Sequence, residues 1–599
     1  MSKIIGEVLS VNGAYVSIEV DPLISDLHLR YDGKSYIVGQ PGTYLIIDSG
    51  HDKHLALITT VRKTRALPSM AESEIAGKEK SPLPAGNFPL PQEIPLIDRT
   101  IIDGILVGSI AGNRFEVGIY RLPVVGDSVT IPLEKHIEIA LSPVKERFSI
   151  SIGRFPDSEF AVYLDLDHLL GKHTAIVGTT GCGKSYAVAK MLDEFVRIYP
   201  SSNIIVFDLH GEYRTCFDSC NYIRADKISL PAWLHSFEDL FNLCADLSNQ
   251  FNIHNQRLVF RDGIFKLKQR YCREIMKDGK LAENIDLDAP IPFNFDHFIN
   301  YLYNINNETI NKKTDEPAII GGPKDLFKDR IEYEKYVPYG KEIGKTPLMG
   351  ELDRLVLRVE SRRKDPRYAF MFNYPEPQKG DLEKLLEEIT GLKRNDPKNI
   401  TVFDLSYLPS ETVGSVVATI SRIIFQVHFL SERRKSIPSL IVYEEAHNYI
   451  SRHGKGSYGE ARQSVERIAK EGRKFGVGTI IVSQRPSELS ETLLSQCNTY
   501  LCMRLGNATD KGYIESLLPD SMNRLTDILP ALPRGHVLAI GQATKMPVRF
   551  VVSEIDDKRK CPDSDDPPFG EKWGVEIGKR EIPDLSKVCS HWIRSEKPD

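Results

Sequence analysis

The chain lacks the long apolar runs that a membrane-spanning protein needs. None of the uninterrupted hydrophobic stretches in its 599 residues approaches the roughly 20 residues that cross a bilayer. An acid, Glu7, follows the initiating methionine too early for a secretory signal. These absences predict a cytoplasmic protein without a membrane anchor.

Cysteine is scarce and shows no pairing pattern. The chain has nine cysteines, an odd number, scattered along its length. Cys216 and Cys220 have a C-x₃-C spacing, but no second pair and no nearby pair of histidines completes a zinc site. We therefore expect reduced thiols and no structural metal.

Positive charge is not in excess either. The 77 Lys and Arg residues face 82 Asp and Glu residues, which gives a net charge of −5. The chain as a whole is therefore not a polycation that binds nucleic acid through its overall charge. Any anion-binding surface must be local, such as a pore or a groove. The apolar share of 41% is ordinary for a globular protein, and the length predicts about three or four domains.

One stretch fits the phosphate-loop pattern G-x-x-x-x-G-K-[ST] without deviation. An apolar strand (174–177) precedes it and an amphipathic helix (186–198) follows, which is the context that the motif requires. Lys184 is suited to the β- and γ-phosphates, and the Ser185 hydroxyl to Mg²⁺. The backbone that would surround the phosphate is that of Gly178, Thr179, Thr180, Gly181, Cys182 and Gly183. The alternative is a glycine-rich turn that matches by chance. We predict that the chain binds ATP and Mg²⁺.

The remainder of the chain predicts an α/β fold with several parts. Residues 1–145 have short alternating strands, among them a hairpin around Asn12-Gly13, and indicate a small β-barrel that serves oligomer formation or partner docking. Residues 66–95 are predicted to form a long exposed loop. The predicted ATPase core comprises 146–228 and 399–555, separated by a mostly helical insertion at 229–398. Residues 556–599 form a charged tail, either disordered or packed on a neighbour.

Two apolar strands of the core end in acids. The run 203–207 ends at Asp208, and the run 439–443 ends at Glu444 and Glu445. In an open parallel sheet, ligands bind at the carboxyl ends of the strands. Adjacent buried carboxylates are costly unless a cation or hydrogen bonds compensate them, which favours a catalytic site over a structural one. For Asp208, a cap after the strand is the alternative.

Basic and polar groups follow in the second half of the core. A predicted helix over 460–475 carries five bases, and the strand that comes next ends in Ser483-Gln484-Arg485. A polar amide at such a strand end is what a sensor of the γ-phosphate requires. The glycine-rich loop 451–459 contains Arg452 and Lys455. It either lines a channel for nucleic-acid phosphates or is a solvated surface loop.

These motifs together resemble those of the HerA family of hexameric DNA translocases, within the FtsK–HerA class. The resemblance rests on the phosphate loop and on the blocks 206–213 (VFDLHGEY), 444–449 (EEAHNY), 473–476 (RKFG) and 483–487 (SQRPS). It covers most of residues 1–555 and is loosest in the insertion. It implies a RecA-like ATPase that assembles as a homo-hexamer around double-stranded DNA.

The resemblance also implies roles for individual residues. Glu445 resembles the general base, Gln484 the sensor and Arg473 the arginine finger of a neighbouring subunit; an exposed helix charge is the alternative for Arg473. Lys172 resembles a basic residue that touches the nucleotide. Glu444 stands where many ATPases have Asp, so that Glu444 and Asp208 share the expected Mg²⁺ role with the phosphate-loop serine.

The leading hypothesis is an ATP-driven DNA translocase or helicase. The family resemblance implies a partner effector docked on the barrel, either a nuclease in DNA-end processing or a sirtuin-like NAD-consuming enzyme or nuclease in bacterial antiphage defence. Two alternatives are a conjugation- or secretion-type pump ATPase and a ring scaffold whose nucleotide-dependent assembly activates the effector.

Overall fold

The described part of the chain forms two compact units. One comprises Met1–Glu194, Gln484–Ser487 and Cys497–Glu554, and the other comprises Phe195–Ser483, Glu488–Gln496 and Ile555–Asp599. The computed structural model describes residues 4–24, 27–31, 34–50, 52–66, 97–143, 148–245, 252–392, 398–432, 437–453, 457–555, 562, 575 and 583–594.

The first unit begins with the predicted barrel, and the prediction is confirmed. Six strands pair in a closed ring, because the last of them also pairs with the first. Their order around the ring is Tyr15–Val20, Ile4–Asn12, Ser128–Thr130, Tyr44–Asp48, Lys53–Ala66 and Ile97–Ala111. A further strand, Arg114–Val117, pairs with Ile97–Ala111. Inward-facing apolar side chains, such as Val8, Ile18 and Val129, fill the interior.

The first hairpin of the barrel turns one residue later than the sequence indicates. Asn12 is still paired, with Tyr15, and Gly13 takes the left-handed conformation with φ of +59°. A left-handed turn residue matches the twist of the strands that it joins, and glycine adopts that conformation without a Cβ penalty. Of the loop predicted at 66–95, only Ala66 is described, as the end of a strand; the remainder lies outside the described residues.

A second sheet in the first unit holds the strand before the phosphate loop. That strand, Thr174–Val177, is buried along its whole length and pairs in parallel with Thr499–Cys502. Burial on both faces explains why its sequence is continuously apolar instead of alternating. The sheet continues in antiparallel fashion through His536–Gly541, Val548–Val552, Ser149–Arg154 and Ala161–Asp165.

The second unit has a parallel sheet. Its strand order is Val477–Ser483, Ser439–Tyr443, Asn203–Asp208, Ile400–Asp404 and Cys220–Arg224. The rings of Phe207 and Tyr443 stack across neighbouring strands at 5.4 Å. Because the strands are parallel, their acidic carboxyl ends share one edge, as the sequence predicts. The edge strand Cys220–Arg224 is too polar to have been recognised from its sequence.

The helical insertion also lies in the second unit. Its principal helices pack around an aromatic cluster of Phe241, Phe260 and Phe298. They are Phe237–Cys244, Ile253–Tyr271, Phe295–Asn307, Asp353–Lys364 and Asp381–Thr390. Within the insertion, Thr309–Asn311 and Ile343–Lys345 form a short antiparallel pair of strands.

Four further helices bear on the predictions from the sequence. The phosphate-loop helix is Lys184–Ile198, and the basic helix is Ser457–Phe475. Ser410–Leu430 is long and apolar enough to cross a membrane, but 72% of its apolar window is buried inside the protein, which is typical of a core helix. In the tail, Leu585–Arg594 forms a helix that the sequence does not predict.

Candidate nucleotide-binding and hydrolysis site

The phosphate loop has the backbone shape that its glycines allow. Gly183 has a φ of +101°, a conformation that a side chain would strain. Gly178 lies so close to its neighbours that a Cβ there would be 2.7 Å from the Cys182 sulfur and 2.9 Å from the Met503 Cβ. The loop therefore depends on glycine at both positions.

The two polar residues of the motif open the helix that follows the loop. Lys184 is buried, with 5% of its surface exposed, and its Nζ donates to the Thr179 carbonyl oxygen at 3.4 Å. The ammonium group thus bends back over the loop. Ser185 is the second residue of the helix, where backbone N–H groups and the helix dipole favour an anion.

The structure brings Gln484 to the phosphate loop. The Thr180 hydroxyl donates to the Gln484 side-chain oxygen at 2.5 Å. Ser487 anchors the same segment, since its backbone N–H and hydroxyl both donate to Asp510, at 3.2 and 2.6 Å. The amide predicted as the sensor is therefore hydrogen-bonded to the phosphate loop, and its segment is anchored through Ser487.

Lys172 is placed differently. It follows the helix Leu166–Gly171, and its Nζ donates to the Gln542 side-chain oxygen at 2.5 Å. Its backbone carbonyl accepts from the Asn498 N–H at 3.1 Å. In the described part of the chain, its hydrogen bonds run to these residues and to none in the phosphate loop.

Asp208 organises the loop that follows its strand. Its carboxylate accepts backbone N–H bonds from His210, Gly211, Glu212 and Tyr213, at 3.3, 2.9, 3.2 and 3.0 Å. Burial raises the pKa of Asp208 to about 6, and the charge of the neighbouring Asp404 acts in the same direction. These contacts favour the capping alternative that the sequence left open for this residue.

Glu444 accepts hydrogen bonds from two tyrosines that belong to the HerA-like sequence blocks 206–213 and 444–449. Its Oε1 accepts from the Tyr213 hydroxyl at 3.1 Å, and its backbone carbonyl accepts from the Tyr449 hydroxyl at 2.7 Å. Burial is the larger cause, and the charge of Glu444 the smaller, that raises the pKa of each tyrosine well above the usual value. Both phenols therefore stay protonated and keep donating. The sequence offered these tyrosines only as members of a motif, without a role.

Glu445 stands in a strained conformation. Its backbone is left-handed, with φ of +46° and ψ of +44°, and only 4% of its surface is exposed. Non-glycine residues rarely adopt this region, and such strain concentrates at functional sites. Nδ1 of His447 lies 3.3 Å from Glu445 Oε2 and 3.2 Å from the Ser483 hydroxyl. His447 is a functional candidate that the sequence did not single out, although it lies two residues after Glu445.

Two of the remaining predicted residues, Arg473 and Arg452, lie on the surface. Arg473 is exposed in the last turn of the basic helix, whereas Arg467 and Lys470 pair with acids of the same helix. Arg452 lies 3.5 Å from the Glu491 carboxylate. Lys455 lies outside the described residues.

Comparison with known proteins finds relatives among DNA repair helicases. Residues 150–424 match the family model for the central domain of helicase HerA. The DNA double-strand break repair helicase HerA of Sulfolobus acidocaldarius is 28% identical over 461 residues, 75% of this chain and 77% of that protein. The HerA of Sulfurisphaera tokodaii is 25% identical over 473 residues, 78% of this chain and 80% of that protein.

Among solved structures, VirB4 of Thermoanaerobacter pseudethanolicus is similar with a TM-score of 0.45 and 14% identity, over 69% of this chain and 99% of that one. The phosphate-loop motif, the family match and the HerA relatives agree. The resemblance to the HerA family is thereby confirmed, and the chain is an ATPase similar to the HerA helicases.

Proposed function

We propose that the chain is an ATP-driven DNA translocase or helicase that works as a homo-hexameric ring. The observation that carries the proposal is Glu445, a buried carboxylate in a strained backbone with His447 beside it. Strained backbone conformations of this kind cluster at functional sites, where they orient a side chain for its role. The HerA relatives, which are DNA double-strand break repair helicases, support DNA as the substrate.

In this proposal Glu445 is the general base that accepts a proton from the water attacking the γ-phosphate. Lys184 and the backbone of the phosphate loop bind the phosphates, and Gln484 senses the γ-phosphate. The hydrogen bond from Thr180 supports that role, because it already couples Gln484 to the loop. General-base catalysis of this kind contributes about 10²–10⁴ in rate.

Magnesium fits the donors present. Hydroxyl and carboxylate oxygens are the ligands that Mg²⁺ prefers, and Ser185 and Glu444 provide one of each. Mg²⁺ would neutralise charge that develops on the phosphates. Asp208 remains a candidate, but both of its oxygens already accept backbone N–H bonds, which favours an indirect role through the loop 209–213.

Two basic residues are assigned supporting roles. Arg473 is the arginine finger for a neighbouring subunit, supported by its exposure at the end of the basic helix. Lys172 approaches the nucleotide only if it exchanges its hydrogen bond with Gln542.

DNA and partner contacts complete the proposal. In a ring, Arg452 and Lys455 of each subunit would face the DNA phosphates of the channel, which makes a local positive surface in an acidic protein. The barrel would dock a partner effector, a nuclease or a sirtuin-like enzyme. DNA-end processing or antiphage defence is the setting that such a partner implies.

The experiment measures ATP hydrolysis with and without duplex DNA, for the wild type, Glu445→Gln and the exposed control Glu383→Gln. We expect DNA to stimulate the wild type and the control, and Glu445→Gln to bind ATP without hydrolysing it. Native mass spectrometry of the same samples gives the subunit number. A DNA-independent rate, or full activity of Glu445→Gln, would overturn the proposal.

A further inference from the structure

A cavity of about 400 Å³ lies in the second unit, at the outer edge of its parallel sheet. It is distinct from the residues assigned above to ATP. Its lining comprises Arg214, Asn221, Tyr222, Ile223, Arg224, Lys227, Glu388 and Tyr407. The volume is in the range of sites that bind small molecules.

The edge strand Cys220–Arg224 builds one wall of the cavity. Tyr222 and Arg224 are two residues apart on this strand and therefore point to the same side of the sheet. The Arg224 guanidinium lies 3.7 Å from the centre of the Tyr407 ring. It also bonds both oxygens of Asp226, at 3.2 and 3.1 Å. Arg224 is thus fixed in position with its plane against an aromatic ring.

Cations dominate the lining. The lining has three cationic side chains, those of Arg214, Arg224 and Lys227, and one carboxylate, Glu388. A second carboxylate, Asp226, is paired with Arg224. Arg214 and Lys227 are exposed. In a chain with a net charge of −5, this is a local concentration of positive charge beside two tyrosine rings. Basic groups that surround aromatic rings are the combination by which proteins bind phosphates and stack bases.

We propose that this cavity, the edge pocket, binds the phosphate ester of a nucleotide. Arg214 and Lys227 contact the phosphate, the fixed plane of Arg224 and the tyrosine rings stack the base, and Glu388 accepts from a sugar hydroxyl or a base amino group. The ligand is either a free nucleotide or a nucleotide of a DNA strand, since both present the same phosphate and base.

The edge pocket is connected to the acidic edge of the sheet. The Tyr222 hydroxyl donates to Asp404 Oδ2 at 2.5 Å, and Asp404 pairs in register with Asp208 on the adjacent strand. Asp208 in turn holds the N–H of Tyr213, whose hydroxyl bonds Glu444. A ligand that moves Tyr222 therefore acts on a series of contacts that ends at Glu444, the residue assigned to Mg²⁺.

The test uses the full chain with Lys184→Ala, which removes the lysine of the phosphate loop, so that binding at the edge pocket is measured separately. Into this background we introduce Arg214→Gln with Lys227→Gln. The matched control is Arg273→Gln with Lys280→Gln, which removes the same two charges at exposed positions of the insertion. Thermal unfolding midpoints verify that both variants fold.

Two probes distinguish the sources of the ligand. AMP binding is measured by calorimetry, and binding of a 30-nucleotide single strand, whose bases are free to stack, by fluorescence anisotropy at fixed salt. Because two charge-assisted contacts to phosphate are lost, we expect the affinity for one probe to fall about tenfold or more, with the control unchanged. A fall for AMP alone identifies a free nucleotide, a fall for the single strand alone identifies DNA, and a fall for both shows that the pocket accepts either.

Cross-linking locates the site directly. In the same background, 8-azido-AMP or an iodouracil-containing single strand should label peptides that contain Tyr222 or Tyr407. Unchanged affinity for both probes, or labelling confined to other peptides, would overturn the proposal. The outcome is independent of the translocase proposal, which is tested by DNA-stimulated hydrolysis in the chain with an intact phosphate loop.

Discussion

Nδ1 of His447 lies 3.3 Å from the carboxylate of Glu445, the residue whose backbone is left-handed. The turn explains the contact. At Glu445 the chain leaves the strand Ser439–Tyr443 and enters a short 3₁₀ turn, Ala446–Asn448, which carries His447 back towards the acid. Ser483, at the end of another strand of the same sheet, contacts the same ring nitrogen at 3.2 Å. The Ser483 hydroxyl thus fixes the imidazole beside the carboxylate, and we expect the imidazole to position Glu445.

The first prediction concerns this positioning role. His447→Ala should lower kcat for ATP hydrolysis about 10- to 100-fold with little change in KM. The reason is that a displaced Glu445 carboxylate slows the chemical step but does not weaken ATP binding. His447→Asn should recover most of the loss, since its side-chain nitrogen can replace Nδ1. Steady-state kinetics of the three proteins check this. Equal loss in both variants, or a rise in KM alone, would contradict a positioning role.

The second prediction concerns Arg473 and depends on ring assembly. Arg473→Ala should lower kcat by about 10³ or more, as the loss of an arginine finger does in related phosphoryl transfers. Lys474→Ala, an exposed neighbour on the same helix, should keep near-normal activity. Mixing Arg473→Ala with Glu445→Gln subunits should restore part of the activity, because some interfaces then combine an intact finger with an intact base. No recovery on mixing, in rings shown to be mixed, would contradict a role in trans.

The sequence predicts the acidic sheet edge well because its signal is local. A run of apolar residues that ends in Glu444 and Glu445 has few structural explanations, and the parallel sheet follows from the buried strands around it. The barrel hairpin is equally local. These features depend on residues that are adjacent in the chain.

The contacts that support the site could not be predicted in the same way. His447 reaches Glu445 only because residue 445 adopts a left-handed backbone, which no side-chain pattern encodes. The four N–H groups that point at Asp208 depend on the path of the loop 209–213. The strand Cys220–Arg224 escaped prediction because its pairing with Ile400–Asp404, and not its own polar sequence, holds it extended.

The third prediction concerns pH. Burial, and then the charge of Glu460, raises the pKa of Asp239 to about 7. The unfolded state releases this proton near pH 4, while the folded state holds it until about pH 7. The contribution of Asp239 to stability is therefore fully present below about pH 4 and is lost as pH rises to about 7.

Asp239→Asn removes this titration while it keeps the shape of the side chain. Between pH 4 and pH 8, the free energy of unfolding of the wild type should fall relative to Asp239→Asn, by up to about 4 kcal/mol. Urea titrations at a series of pH values measure the difference, in which groups common to both proteins cancel. Parallel curves for the two proteins across this range would contradict the raised pKa.

The last prediction separates the strain at Glu445 from its chemistry. Glu445→Gly and Glu445→Ala both remove the carboxylate, so both should abolish hydrolysis. Only glycine also relieves the left-handed backbone, whose cost for a residue with a Cβ is about 1–2 kcal/mol. Glu445→Gly should therefore unfold at a higher temperature than Glu445→Ala, although glycine ordinarily destabilises relative to alanine in helices and strands. If the two variants unfold at the same temperature, the backbone at residue 445 relaxes once the carboxylate is gone. The strain would then belong to the contact with His447 and not to the turn.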